Sequence, residues 1–246
     1  MNLSARRAEF VMMNNEFGIK YKRKGFEVVS LDMFQTLVNV DSRIEQIWKP
    51  ILSNTYSQEY ANECAQLLLS YFLENWAQMK NAKQFFLMKE VYERSFVSVF
   101  EHLNLSYDLT AANKSLFEEH TLSEFYDDTL DFLNRISADY RICIVSDADG
   151  AMLPSFYTDY GIRMFASEQF QSYKNDAHNT MFKELIKFYN TDPGKVIHIG
   201  DSVSDIVGAN REGICTCWLN RNKRAWEHQV RPDYIIETLS ELEGIL

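Results

Sequence analysis

The sequence predicts an α/β fold: a parallel sheet covered by helices on both sides, with an all-helical segment inserted after the first strand. Three observations support this prediction: short apolar runs that give way to polar residues, helical patterns between those runs, and a long strand-free stretch early in the chain. Strands that alternate with helices favour a parallel sheet buried on both faces. The chain has 246 residues, of which 46% are hydrophobic, so it can bury a substantial core.

The predicted strands are short runs of apolar and strand-favouring residues. The first run covers residues 26–31 and follows a basic stretch. Three similar runs occur later in the chain, and a fourth run is a further candidate. These later runs cover residues 141–145, 196–199 and 214–219, and the candidate covers residues 163–166.

Apolar residues between the strands recur at three- and four-residue steps, which is typical of a helix with one buried face. Residues 180–189 show this pattern. Another pattern follows Asp127 and Asp128, which either open a helix or lie in a turn. Its apolar face is predicted to contain Leu130, Leu133 and Ile136, with Phe132 beside it.

Residues 41–119 contain no convincing strand and are rich in helix-forming sequence. We therefore predict a core made of residues 1–40 and 120–246, and a helical insert made of residues 41–119. Within the core, residues 1–25 are predicted to form an N-terminal extension, a helix followed by a basic connector.

Charge and hydropathy restrict the classes of partner. The formal net charge is −10, and so acidic a surface repels phosphate backbones and anionic lipids. We therefore predict no nucleic-acid partner and no membrane partner. No apolar run reaches the length of a membrane span, and the first residues lack the apolar stretch of a secretory signal.

The four cysteines show no spacing typical of a disulfide framework. Cys215 and Cys217 lie two residues apart in a predicted strand and should share one of its faces. Buried cysteines in a reducing compartment explain this pattern, so the sequence predicts a cytoplasmic protein.

Polar residues follow several predicted strands, at the points where those strands end. Asp32 follows the first strand, Ser146 follows the second, and Asp201 and Asp205 follow the strand at 196–199, with Lys174 in the stretch between. Ligands of open parallel sheets bind beyond the carboxyl ends of the strands. We therefore expect these five side chains to converge on one rim of the sheet.

Each of these residues alone has an ordinary explanation, since Asp and Ser often cap helices and a loop Lys is usually solvated. Their combination points to chemistry. Converging carboxylates cannot all stay ionised without a cation, and a hard, oxygen-rich site suits Mg²⁺. A carboxylate that attacks a phosphoryl group needs its charge offset, which a metal ion and a Lys both achieve. The sequence therefore predicts a magnesium site for a small phosphorylated or otherwise anionic substrate.

Four segments carry a resemblance to a known family. SLDMFQTL, IVS, YKND and HIGDSVSD are similar, in order and separation, to the four signature motifs of the haloacid dehalogenase-like hydrolases. The resemblance implies a Rossmann-like, three-layer core with a parallel sheet. The helical insert stands where one subclass of the family carries a helical cap after the first motif.

The resemblance also implies roles for the residues of the first motif. Asp32 matches the nucleophile that forms an aspartyl-phosphate, and its second oxygen would bind the metal. Phe34 matches the position whose backbone carbonyl is a metal ligand. Thr36 matches the residue that orients the nucleophile loop.

The later motifs complete the implied site. Ser146 matches the hydroxyl that binds phosphate, and Lys174 matches the Lys that pairs with the nucleophile and the phosphate. Asp201 matches the direct metal ligand. Asp205 matches the acid that holds the metal or a bound water.

One residue departs from the pattern of the family's phosphatases. They usually carry a second Asp two residues after the nucleophile, as general acid and base, and here that position is Phe34. General acid–base catalysis raises the rate of such a reaction roughly 10²–10⁴-fold. We therefore predict a slow phosphatase that favours esters with acidic leaving groups.

Phe34 also supports a second interpretation. The 2-haloacid dehalogenases of the family carry an aromatic residue at this position and need neither acid nor metal. Asp32 would then attack carbon, and Arg43 could pair with a substrate carboxylate. The retained Asp201 favours the phosphatase instead, because two adjacent carboxylates without a cation would be electrostatically costly.

A third interpretation is a binding module that holds a phosphorylated ligand or a protein partner and turns over slowly or not at all. The basic stretch at residues 20–24 would suit a partner contact. Gln35, in place of the family's common Gly, and Asn175, in place of a common Pro, leave loop geometry open.

Overall fold

The computed structural model describes residues 25–80, 82 and 84–246. The predicted N-terminal extension and the basic stretch at residues 20–24 lie outside these described residues, except for Gly25. Within the described part, helices and strands alternate along the core as the sequence predicts.

The core strands form one parallel sheet of six strands. They are β1 Val28–Leu31, β4 Arg141–Ser146, β5 Arg163–Ala166, β6 Val196–Gly200, β7 Cys215–Leu219 and β8 Tyr234–Ile236. Their order across the sheet is β5-β4-β1-β6-β7-β8. All five predicted strands are confirmed. The sixth, β8, was missed because it is short and follows a Pro-containing loop.

Alternation along β1 sends successive side chains to opposite faces of the sheet. Val28 packs with the helices α8 (Thr180–Tyr189) and α9 (Val203–Arg211) on one face. Val29 and Leu31 belong to the hydrophobic cluster on the other face, which includes α5 (Thr129–Ile136) and extends into the helical insert. Both faces are therefore buried, which gives the three-layer arrangement that the sequence predicts.

Four helices fill the predicted insert, and we call them the cap. They are α1 Ile44–Leu52, α2 Gln58–Met79, α3 Met88–Leu103 and α4 Leu109–Thr121. Ser57 caps the start of α2 by accepting a hydrogen bond from the Tyr60 amide at 3.1 Å. Trp48 of α1 is buried and lies 5.9 Å from Phe96 of α3, ring to ring, so it packs between cap helices.

A small antiparallel pair of strands joins the cap to the core. β2 (Val38–Asn39) pairs with β3 (Glu124–Phe125), so the chain leaves the core and returns to it at neighbouring points. Two short helices and five 3₁₀ turns complete the described part. They are α6 Phe156–Asp159, α7 Ser167–Phe170, and the turns Val40–Arg43, Ser53–Thr55, Gly150–Met152, Pro193–Lys195 and Leu239–Gly244.

The helix predicted after Asp128 is confirmed as α5, but its buried face differs from the prediction. Leu130 is 41% exposed, whereas Phe132, Leu133 and Ile136 are buried. Asp128 stands at the N-cap position without capping the helix through its side chain. It instead pairs with Arg221, Nη2 to Oδ1 at 2.9 Å, so a distant ion pair replaces the local cap.

Two further expectations concern the cysteines and the membrane. Cys215 and Cys217 lie on β7 and are buried in one cluster, as the period-two spacing predicts. Among the described residues, no helix combines the length and the apolar character that crossing a bilayer requires.

Candidate active site

Three neighbouring strands bring the predicted polar residues to one rim of the sheet. β4, β1 and β6 are adjacent, and Ser146 ends β4, Asp32 follows β1, and Asp201 follows β6. Asp32 and Ser146 are both buried. The sheet order therefore explains why residues more than 100 positions apart lie together.

Lys174 joins this group from the loop before α8. Its Nζ lies 2.9 Å from Asp32 Oδ1 and also contacts Asp205 Oδ1. Burial alone would lower the pKa of Lys174, but the carboxylates of Asp205, Asp32 and Asp147 outweigh it and hold that pKa well above its ordinary range. Lys174 is therefore a fixed ammonium beside the predicted nucleophile.

Asp205, in the first turn of α9, receives donors on both oxygens. Lys174 and His198 Nε2, at 3.0 Å, contact Oδ1, and the Ser202 amide and hydroxyl donate to Oδ2 at 2.9 and 2.6 Å. Burial raises the pKa of Asp205, yet Lys174 and His198 more than offset it, so the pKa lies well below its usual value. A carboxylate offers about four acceptor sites. These four donors occupy the acceptor sites of Asp205, so it suits orienting Lys174 more than binding an ion directly.

Two glycines allow these groups to approach so closely. A Cβ added to Gly200 would lie 2.2 Å from Asp205 Cγ, and one added to Gly208 would lie 1.8 Å from the Lys174 carbonyl oxygen. Any larger residue at either position must move the backbone or the site. His198 also links Asp205 to the first strand, because its Nδ1 lies 2.8 Å from the Oγ of Ser30 in β1.

The acidic residues can hold a cation. One carboxylate oxygen from each of Asp32, Asp201 and Asp205 lies within 4.8 Å of the others. Burial raises the pKa of Asp32, and burial followed by the neighbouring carboxylates raises the pKa of Asp201 to about 8. A divalent cation would relieve this cost and let the acids stay ionised. The side chain of Asp201 is 24% exposed, so an ion can reach it.

The loop after Asp32 holds the other residues of the first motif. Thr36 is buried, and its hydroxyl has no hydrogen-bond partner among the described residues. Gln35 has a φ of 58°, the left-handed region that glycine adopts most easily. Its Oε1 accepts a hydrogen bond from the Tyr126 hydroxyl at 2.5 Å. The loop thus keeps the conformation that suits Gly, and Gln adds a side-chain contact.

The side chain of Arg43 is paired within the protein, whereas the second interpretation expects it to pair with a substrate carboxylate. Its Nε and Nη2 donate to Glu119 Oε2 at 2.9 and 2.5 Å, which ties the start of the cap to the end of α4. An Arg whose charge is already neutralised is a poor partner for a substrate carboxylate. This contact argues against the predicted substrate-binding role of Arg43.

Sequence reasoning missed Asp147. Its Oδ1 accepts a hydrogen bond from the Lys174 amide at 2.8 Å, and burial raises its pKa to about 7. Asp147 therefore fixes the loop that carries Lys174. The available signal was its position directly after Ser146 at the end of a strand.

Asp149 and Tyr173, also missed, join the core to the cap. Asp149 accepts the amides of Met88 and Lys89 at 2.9 and 2.8 Å, at the start of α3. The Tyr173 hydroxyl donates to the Phe86 carbonyl at 2.6 Å. These contacts join residues that are far apart in the sequence, so no local sequence pattern predicts them.

A cavity of about 770 Å³ lies between this rim and the cap. Asp32, Ser146, Lys174 and Asp201 line its floor. Apolar and aromatic side chains of the cap line the opposite wall, among them Ile47, Leu69, Phe72, Leu73, Trp76 and Leu116. The arrangement suits a ligand with an anionic end at the sheet and an organic part under the cap.

Comparison with known proteins identifies the family. Residues 26–213, more than half of the chain, match the haloacid dehalogenase-like hydrolases. The chain belongs to this family. The family membership that the four motifs predict is therefore confirmed.

Two curated relatives match over shorter segments. The pyrimidine 5′-nucleotidase YjjG of Escherichia coli is 38% identical over 58 residues, which are 23% of this chain and 26% of that protein. A glyceraldehyde 3-phosphate phosphatase of Pyrococcus furiosus is 36% identical over 73 residues, 28% of this chain and 30% of that protein. The chain thus matches less than a third of either relative's length.

Solved structures share the fold over nearly the whole chain. A magnesium-bound putative hydrolase of this family from Bacillus subtilis, YfnB, has a TM-score of 0.75 and 16% identity, covering 91% of this chain and 99% of that one. The L-2-haloacid dehalogenase of Xanthobacter autotrophicus, with chloropropionic acid covalently bound, has a TM-score of 0.74 and 14% identity, covering 89% and 97%. At sequence identities this low, both similarities establish only that the fold is shared.

Proposed function

We propose that this hydrolase is a magnesium-dependent phosphatase or phosphoryl-transfer enzyme acting on a small phosphorylated metabolite through an aspartyl-phosphate at Asp32. The observation that carries the proposal is the acidic cluster of Asp32, Asp201 and Asp205 around Lys174. Asp201 beside Asp32 favours a bound cation, which would let both carboxylates stay ionised and which a reaction at carbon with a departing halide does not need. The two curated phosphatase relatives support the same reaction class.

In the first step, an Asp32 oxygen attacks phosphorus, and the bond from phosphorus to the leaving oxygen breaks. Lys174 offsets the negative charge, and Ser146 can hold an equatorial oxygen from the end of β4. A bound Mg²⁺, held by Asp32 and Asp201 with the predicted help of the Phe34 carbonyl, would supply further positive charge. The leaving group departs as an oxyanion and takes its proton from water.

In the second step, water attacks the phosphorus of the aspartyl-phosphate. The new P–O bond releases inorganic phosphate, the Asp32 carboxylate is regenerated, and the proton of the water passes to solvent. Neither step has a carboxylic acid at position 34 to move a proton. The site therefore favours leaving groups that are stable as anions, such as nitrophenolate or acetate.

Hydrolysis of p-nitrophenyl phosphate and acetyl phosphate tests this proposal. We expect turnover with Mg²⁺, loss of turnover in excess EDTA, and recovery when Mg²⁺ is restored. Asp32→Asn should abolish turnover, because the amide cannot attack. Asp159→Asn, an exposed residue on α6, is a matched control and should leave the rate unchanged.

Three results would contradict the proposal. Equal rates with and without EDTA would exclude the metal-dependent reaction. Chloride release from 2-chloropropionate, without turnover of either phosphate, would favour the dehalogenase, the function suggested by the aromatic Phe34. Stoichiometric binding of a phosphate ester without product would favour a binding module.

A further inference from the structure

His120 lies in the wall of the cavity, at the end of α4. Its ring centroid is 5.5 Å from that of Phe34 and 5.9 Å from that of Tyr92. Phe34 directly follows the Asp32–Met33 pair, so His120 stands close to the reacting end of the cavity. The predicted reaction assigns no task to this imidazole.

The imidazole is buried without a complete set of partners. His120 is 5% exposed, and its Nδ1 has no hydrogen-bond partner among the described residues. A buried polar atom left without a partner costs free energy, and such atoms are rare unless a ligand or water satisfies them. Burial lowers the pKa of His120 to about 4, so at neutral pH its ring offers one donor and one acceptor.

The surroundings of His120 make this polar atom distinctive. Leu116 lies one helical turn before it, and Ile47, Trp48 and Met88 also line the cavity. A ligand that fills this region meets apolar and aromatic surface on most sides. The imidazole can therefore distinguish a ligand with a correctly placed polar group from one without it.

We propose that His120 is a specificity-determining residue that forms a hydrogen bond with the organic part of the substrate. The substrate class is then a phosphate ester whose leaving group carries a hydroxyl or ring nitrogen on a largely apolar, planar frame. This inference rests on the proposed function, because it takes the cavity as the site of a phosphate ester. It adds a requirement on the organic part of the substrate, which the phosphate-binding residues do not impose.

Aryl phosphates that differ by one hydroxyl test the proposal. Phenyl phosphate and its 2-, 3- and 4-hydroxy derivatives have similar leaving groups, and scanning the ring position allows for the unknown geometry. Wild type should prefer the best hydroxyphenyl ester over phenyl phosphate by about tenfold in kcat/KM, the usual effect of one hydrogen bond in a buried site. His120→Phe should bring this ratio close to one by slowing only the hydroxylated ester.

His102→Phe is the matched control. His102 is an exposed cap histidine on α3 whose Nδ1 lies 2.9 Å from the Tyr71 hydroxyl, away from the cavity. It should keep the wild-type ratio. An unchanged ratio in His120→Phe, with phosphate turnover intact, would overturn the role of His120 and leave the proposed function standing.

Binding separates the two proposals if turnover is absent. Dissociation constants of the four esters, measured by calorimetry with Mg²⁺, give the same ratio without chemistry. If the ratio of dissociation constants depends on His120 but no ester is hydrolysed, the inference is supported and the proposed phosphatase is rejected. Equal dissociation constants, or no binding of any ester, would reject the inference.

Thermal unfolding gives a second readout that is independent of substrate. If Nδ1 has no partner in the free protein, His120→Phe or His120→Leu should raise the Tm by about 2–4 °C. A lower Tm for both variants would mean that a partner such as a bound water already satisfies the imidazole. That result would overturn the proposal.

Discussion

Phe34 brings an aromatic ring, rather than a carboxylic acid, to the position two residues after Asp32. The ring is partly buried and lines the cavity beside His120. A ring adds apolar surface for a ligand, but it cannot protonate a departing alkoxide. Under the proposed function, the chemistry of this one residue would therefore set which phosphate esters the site cleaves.

Phe34→Asp should raise the rate for esters with basic leaving groups, such as alkyl phosphates. The gain should be about 10²-fold, because a positioned acid contributes roughly 10²–10⁴. Steady-state kinetics on an alkyl phosphate and on p-nitrophenyl phosphate should show the larger gain for the alkyl ester. Phe34→Leu is the control for lost ring volume, and an equal gain in that variant would remove proton transfer as the cause.

His120 should make stability depend on pH in a defined direction. Burial lowers its pKa to about 4, below the value of about 6.5 in an unfolded chain. The unfolded state therefore binds more protons between these values, and stability falls as the pH drops from about 6.5 toward 4. Urea unfolding should show a loss of about 2 kcal/mol between pH 7.5 and pH 5 that His120→Phe lacks. An identical loss in both proteins would contradict the assignment.

At the scale of single elements, α9 depends on the absence of a side chain at Gly208. A Cβ there would lie 1.8 Å from the Lys174 carbonyl oxygen, and backbone atoms cannot move aside as a flexible side chain can. The helix and the loop that carries Lys174 are thus in contact through main chain. Helix packing and the position of the ammonium are determined together.

Gly208→Ala should destabilise the fold by about 1–3 kcal/mol, the usual cost of overpacking, and should lower turnover because Lys174 moves. Urea unfolding and p-nitrophenyl phosphate kinetics measure both effects. Gly244→Ala is the matched control, since a Cβ there meets nothing within 4 Å. Equal effects of the two substitutions would show that the close approach is unimportant.

The elements differ in how well the sequence predicts them. The strands β1, β4, β6 and β7 were predictable because each is a continuous apolar run buried on both faces, and α8 because its apolar period is regular. Leu130 was misassigned because the helix that contains it is short and only tertiary contact decides which of its apolar residues is buried. The three-residue β8 and the two-residue β2 and β3 are too short to show a period.

The same limit applies to the site. Asp32, Ser146 and Asp201 follow from motifs at strand ends, and Lys174 follows from a motif in a loop. Asp149, Tyr173 and His120 do not, because each acquires its role from residues far away along the chain. Arg43 was assigned to a ligand because its partner, Glu119, lies 76 positions away and nothing in the sequence pairs them.

At the scale of the whole molecule, Asp149 and Tyr173 hold the cap against the core. Asp149 reaches the cap through two amides at the start of α3, where a carboxylate also interacts favourably with the helix dipole. Tyr173 adds contacts between its ring and those of Trp76 and Phe85, at 4.5 and 4.8 Å. These contacts add to the hydrophobic cluster that the cap shares with the core.

Asp149→Ala should loosen this contact, with a loss of about 1–2 kcal/mol in the free energy of unfolding. Hydrogen exchange should show faster exchange of the Met88 and Lys89 amides, while the amides of the β1 strand keep their protection. Asp192→Ala is a suitable control, because the Asp192 side chain accepts the amide of Gly194, two residues away, at 2.9 Å. Unchanged exchange at Met88 and Lys89 would contradict the role of Asp149.

Asp149 is only three residues beyond Ser146, and this short tether has a thermodynamic consequence. Asp149 contacts the cap and Ser146 lines the cavity, so this segment can transmit a displacement of one to the other. If Ser146 binds phosphate as proposed, a coupling between cap position and phosphate binding would act equally in both directions, as linkage requires. A phosphoryl group restraining Ser146 would bias the cap toward closure, and a variant that frees the cap would weaken affinity for phosphate without touching it.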